Sequence, residues 1–231
     1  MRCMTTWTAV AVVMMAATGA MAQYSENFDG YATGSQLHGQ GGWKGWDNDP
    51  AWSAPTSDLH SVSPANSAEI GGMADLVHEF NVAGGAWEFS TMQFIPDGST
   101  GQNFFLLLNT YNDGGPYDWS VQLNCDLGAG QIVSDFGGGA ALPIKYGQWA
   151  ELKFDIDLDA NTVDEYYDGD LLASHQWDDT GSNRIGAVDL FGNGASPIYY
   201  DNINLVPEPT SLVMLLGSGL GVLVARLRRR R

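Results

Sequence analysis

The chain has 231 residues, 27 of them acidic and 10 Lys or Arg, for a formal net charge of −17. Between residues 23 and 209 the imbalance steepens, because all 27 acids there face only Lys44, Lys145, Lys153 and Arg184, a charge of −23. Such a surface repels nucleic acid and anionic lipid, so no nucleic-acid partner is expected; neutral ligands, cations or plain solubility remain.

Residues 1–22 place Arg2 ahead of an apolar stretch at 9–17 and end in Ala20-Met21-Ala22. This is the layout of a secretory signal peptide with a small-x-small cleavage site, and it predicts a mature chain starting near Gln23. Cys3 would leave with the leader. Cys125 is then the only remaining cysteine, so no internal disulfide forms despite an oxidising destination. It shares a strand face with Val121 and Leu123, the setting of a buried, inert thiol.

From 23 to 205 no stretch sustains a helical period. Strand-like runs broken by turn residues recur at 87–95, 103–109, 119–127, 131–136, 149–158, 163–167, 170–175, 187–191 and 198–205. The run at 103–109 is continuously apolar, as in a strand covered on both faces. The clearest alternation is at 149–158, where Leu152, Phe154, Ile156 and Leu158 face one way and Glu151, Lys153, Asp155 and Asp157 the other. Asp168-Gly169 between two runs is a two-residue hairpin turn. Many short strands with evenly spaced turns and no internal repeat predict one all-β domain at 23–205, a β-sandwich or jelly roll.

The tail, 206–231, has three parts in order: Val206-Pro207-Glu208-Pro209, a mostly apolar run at 210–225, and Arg226 with Arg228 to Arg231. The run falls just short of the roughly 17–25 residues of a usual spanning helix. The arginines would hold the C-terminus in the cytoplasm, leaving the body outside. The order resembles the PEP-CTERM sorting signal of exopolysaccharide-making bacteria. That resemblance implies processing by an exosortase-type enzyme, a transient inner-membrane anchor near 210–225, and delivery to the cell envelope or extracellular surface. A second resemblance rests on Gly147-Gln148-Trp149 and its strand, the Asp159-Ala160-Asn161 turn, and the hairpin from Val163 through Tyr167-Asp168-Gly169. With Glu26 to Tyr31 opening and Tyr200 to Ile203 closing the body, these are similar to concanavalin A-like (laminin G-like) domains. The expected fold is therefore all-β, a concanavalin A-like jelly-roll sandwich flanked by an N-terminal signal helix and a C-terminal transmembrane helix.

The recognition candidate is Trp43-Lys44-Gly45-Trp46-Asp47-Asn48-Asp49-Pro50-Ala51-Trp52, three indoles in a polar loop. Indoles pack on sugar-ring faces, so Trp46 and Trp52 with Asp47, Asn48 and Asp49 form the predicted ligand-binding set, whose partner is a polysaccharide or other glycan. The competing reading is that these indoles close one end of the sandwich, with Trp43 in the core. Tyr111, Asn112, Asp113, Tyr117 and Trp119 make a second, weaker candidate loop. Asp201 and Glu26 break the apolar faces of the last and first strands, and an acid so placed needs a partner. If those strands pair, one structural calcium ion would resolve the meeting of two carboxylates; hydrogen bonds from backbone amides are the alternative. Related jelly-roll hydrolases hold calcium through an Asp on the last strand, and the resemblance puts Asp201 in that place. Asp157-x-Asp159-x-Asn161 reads as a solvated turn. No Glu-x-Asp-x-Glu or Glu-x-Asp-x-x-Glu strand is present, His38, His60, His78 and His175 are scattered, and no catalytic residue is assigned. The expected function is that of a non-catalytic, envelope-sorted glycan-binding or biofilm-matrix protein. The alternatives are a structural envelope protein without a ligand and a carbohydrate-active enzyme with a non-standard site.

Overall fold

The computed structural model describes residues 24–208. The expected signal peptide and the apolar, arginine-ended part of the tail lie outside the described residues. Among the described residues no helix is long and apolar enough to cross a membrane.

Fifteen strands follow in chain order: β1 (Tyr24–Glu26), β2 (Trp43–Gly45), β3 (Thr56–Ser57), β4 (Ser67–Gly72), β5 (Asp75–Ala83), β6 (Ala86–Phe94), β7 (Gln102–Thr110), β8 (Asp118–Asp126), β9 (Gln131–Ser134), β10 (Ala140–Pro143), β11 (Trp149–Asp157), β12 (Thr162–Tyr167), β13 (Asp170–Gln176), β14 (Arg184–Phe191) and β15 (Ala195–Pro207). They form two antiparallel sheets. One runs β13-β12-β11-β6-β15-β4-β3, with β1 also pairing β15, and the other runs β10-β9-β8-β7-β14-β5-β2. This is a two-sheet sandwich of jelly-roll type, and every strand run read from the sequence is present. β15 continues through Val206 and Pro207, so these two residues close the sandwich, and Glu208 still donates its N–H to the Ala86 carbonyl.

The core lies between the sheets. On β11, Leu152, Phe154 and Ile156 are fully buried, as their alternation requires. Phe154 stacks on Phe105 of β7 with centroids 5.1 Å apart, and Phe89 of β6 packs on both. A polar thread crosses this core: Gln93 donates to the Tyr200 hydroxyl (2.9 Å), which donates to Asn103 Oδ1 (3.1 Å). Cys125 lies beside it, and burial pushes its thiol up to about 12, so it stays an inert thiol. Asp168 and Gly169 turn β12 into β13 with φ of 49° and 86°, the left-handed pair that a two-residue hairpin needs. Asp157 Oδ1 accepts the amides of Asp159 and Ala160, so this acid-rich segment is a self-bonded turn.

Pairing of the first and last strands is observed, with Glu26 opposite Ile203. The expected face of Asp201 is corrected. A bulge at Asn202 (φ 49°) shifts the register between Asp201 and Asn204. Ile203 and Leu205 therefore join Tyr200 in the core, while Asp201 turns to the outer side with Tyr199. There its carboxylate accepts the amides of Val62 (2.7 Å), Ser63 (3.4 Å) and Asn202 (2.7 Å). Glu26 accepts from the Phe28 amide (2.7 Å) and the Tyr31 hydroxyl (2.5 Å) instead. The acid charge that bears on Asp201 is that of Asp29, not Glu26. These surroundings do not fit the expected calcium ion: each carboxylate is ringed by N–H and O–H donors, where calcium takes an oxygen cage. Backbone amides resolve the buried acid.

Candidate functional site: an aromatic cleft over an acid pair

β7 has apolar side chains on both faces. Phe105 and Leu107 enter the core; Phe104, Leu106 and Leu108 face the outside of the sheet. An apolar row on the outer face of a sheet must be covered or used. Two loops converge on it. The first leaves β2 and carries Trp46; the second joins β7 to β8 and carries Tyr111 and Tyr117. Trp46 packs edge-on to Tyr111 (5.0 Å between centroids), against Tyr117 (4.7 Å), and nearly parallel to Trp119 (6.3 Å, 7°). The two loops that the sequence presents as separate candidates are one structure.

Asp47 locks them together. Its carboxylate accepts from the Tyr117 hydroxyl (2.5 Å) and the Gly114 amide (2.9 Å), and its own amide donates to the Tyr111 hydroxyl (2.9 Å). The Tyr117 hydroxyl and the Gly114 amide hold the Asp47 carboxyl below the usual range. The same contacts hold Asp47 and Asn48 in left-handed backbone (φ 56° and 59°), which these two residue types tolerate best after glycine. Lys44 ties the β2 end to Asp113 (2.5 Å) and to Glu79. Gly45 is needed for closeness, since a Cβ there would sit 2.1 Å from the Asp49 carbonyl oxygen. Asp49 caps the next turn by accepting the Ala51 amide, and Asn48 is exposed. Trp52 is exposed on that turn and does not line the cleft; Trp43 is in the core, against Phe28 and His78. Of the predicted ligand-binding set, Trp46 walls the cleft, Asp47 braces it, and Asn48, Asp49 and Trp52 lie apart from its lining.

The cleft holds about 280 Å³. Trp46, Trp119, Phe104 and Phe191 wall it. Asp189 of β14 and Asp75 of β5 lie at its base, with Gln122 of β8 at one side. Asp75 stands opposite Phe191, so the two acids sit diagonally on adjacent strands, close enough for each carboxyl to bear on the other's proton. Asp189 is only 3% exposed. Burial, and then the neighbouring Asp75 charge, push its carboxyl well above the carboxylate range; burial likewise raises Asp75. One Oδ1 on each acid is buried with no hydrogen-bond partner. Trp119 also walls a second cavity of about 340 Å³, with Phe136 and His175, so an aromatic ridge separates two neighbouring hollows. Asp118, Asp178 and Asp179 cluster beside it, but Asp178 is already occupied by Thr180, Ser182 and Asn183.

Reading the sequence missed Asp75 and Asp189. Asp189 carried the signal used for Asp201, an acid inside an apolar run. β5 was not recognised because His78 occupies an inward position and breaks the apolar alternation.

No family model matches the sequence, and no curated protein does. Solved structures do share the fold. An endo-β-1,4-glucuronan lyase from the fungus Trichoderma reesei superposes with a TM-score of 0.51 at 10% identity, over 81% of this chain and 96% of that one. A sialidase gives 0.55 at 11% identity, over 83% of this chain and 19% of that one. The Trypanosoma rangeli sialidase gives 0.52 at 14% identity, over 83% and 31%. The chain thus spans nearly the whole lyase but under a third of either sialidase. At such identities the likeness is one of fold: two antiparallel sheets in a jelly-roll-like β-sandwich.

Proposed function

We propose that this protein binds a glycan in the aromatic cleft on the outer face of the β7–β14 sheet and does not cleave it. The observation that carries the reading is the Trp46–Trp119 pair above the acid pair: flat apolar walls suited to sugar-ring faces, with hydrogen-bonding groups at the base. The fold supports it, being shared with proteins named for work on glycans, a glucuronan lyase and two sialidases. The second cavity across Trp119 extends the track for a chain of several sugar units. Binding without cleavage is favoured because Asp75 and Asp189 touch, whereas glycoside hydrolysis wants carboxyls about 5 Å or more apart. The finer parts of the reading belong to the same proposal: a concanavalin A-like jelly roll, exported and sorted to the envelope through the Pro207-Glu208-Pro209 tail by an exosortase-type partner, associated there with exopolysaccharide.

The test is calorimetric titration of oligosaccharides drawn from a polysaccharide panel, comparing wild type with Trp46→Ala and Trp119→Ala. Each variant should lose about tenfold or more in affinity, roughly 1.4 kcal/mol. Binding that survives both substitutions unchanged removes the cleft from the reading, and release of reducing ends would replace binding with catalysis. Cell fractionation that finds the protein in the cytosol with its leader intact would sink the export part.

A further inference from the structure

The base of the cleft has an electrostatic problem that a neutral sugar relieves only in part. Asp189 is nine-tenths buried and more, lines the cavity, and has an Oδ1 with no partner. Asp75 beside it has another. Both acids line the same small, largely apolar space. Nothing nearby compensates them. Leu106 and Phe104 face them from β7. Gln122 of β8 gives one amide N–H to Asp135 (2.6 Å) and makes no hydrogen bond to either acid. On β5, Glu79 is neutralised by Lys44, and the charge that reaches Asp75 from the loop after β2, on Asp47, is again negative. No Lys, Arg or His lines the cavity among the described residues.

Burying carboxyl oxygens without donors is costly, and a ligand that brings donors and positive charge recovers that cost. A divalent metal ion fits poorly, because calcium or magnesium wants six or more oxygens and the remaining walls are indole, phenyl and leucine. An organic ammonium fits well. It carries up to three N–H donors for the two carboxyls, and aromatic faces attract a cation that comes near them. Uronate chains are excluded by charge.

We infer that the cleft recognises an amino sugar through its ammonium group, which sits between Asp75 and Asp189 while the sugar ring packs on Trp46 and Trp119. This rests on the glycan-binding reading and names its substrate class: a chain containing unacetylated amino-sugar units. Burial favours a proton on this acid pair, and seating an ammonium there favours its release. Binding near neutral pH therefore releases close to one proton per site, which a neutral diol would not do.

The experiment is titration of the full-length protein with β-1,4-linked glucosamine tetramer, its fully N-acetylated counterpart and a tetramer of uronic acid. It is run at about pH 6.5 in buffers of different ionisation heat. The amine form should bind at least tenfold tighter than the acetylated form, with proton release near one, and the uronate should not bind. Asp189→Asn should weaken the amine form tenfold or more. Asp170→Asn, which removes an exposed charge on the other sheet, should have little effect. Equal losses in the two variants would reduce the binding to non-specific attraction by an acidic body and overturn the inference. Equal or tighter binding of the acetylated form, lost in Trp46→Ala, would overturn the ammonium and leave the glycan cleft standing. Failure of all three sugars to bind would remove both.

Discussion

Asp189→Asn tests the acid pair through stability alone, without any ligand. Asp189 ionises near 3.8 when unfolded and well above that when folded, because burial and then Asp75 disfavour its charge. A raised carboxyl means that the native state holds a proton the unfolded state has lost. Its contribution to stability is therefore complete below about pH 4 and declines as pH rises through the folded value. The decline is about 1.4 kcal/mol per pH unit. Asparagine has no proton to lose, and its amide can donate to Asp75. Above about pH 4 the variant should gain on wild type by up to about 1.4 kcal/mol per pH unit, while at pH 4 the two should nearly coincide. Urea unfolding followed by tryptophan fluorescence measures this, and every acid except Asp75, whose proton is linked to Asp189, cancels between the two proteins. Parallel stability-versus-pH curves would show that Asp189 is not a buried, proton-holding acid, and the account of the cleft base would fail with it.

Two further outcomes follow from the site's supports. Gly45→Ala places a Cβ on the Asp49 carbonyl, a backbone atom that cannot swing aside, so melting should fall and Trp46 emission shift as the loop moves; about 1–3 kcal/mol is expected. Asp201→Ala strips the amides of Val62, Ser63 and Asn202 of their acceptor, and denaturant unfolding should show a loss of about 3 kcal/mol or more. In wild type, calcium and chelator should give the same melting midpoint; a rise with calcium would restore an ion at Asp201.

Local patterns carried most of the fold. The alternation of β11, the unbroken apolar run of β7 and the Asp168-Gly169 turn each depend on neighbours in the chain, and each stands where periodicity puts it. Short or polar strands were harder: β2, β3 and β10 have four residues or fewer, and β5 hides its period behind His78. The Asn202 bulge was invisible, because one extra residue reverses the face of everything after it and no composition marks it.

By itself, then, the sequence determined an acidic, all-β body holding a single cysteine, with indoles in a loop, since charge, cysteine count and period are properties of neighbouring residues. Only the tertiary structure decided that Trp46 and Trp119, far apart in the chain, wall one cleft, and that Asp75 and Asp189 share its base. Strand order brings β5 beside β14 and β14 beside β7, and a carboxyl's protonation depends on what surrounds it in space.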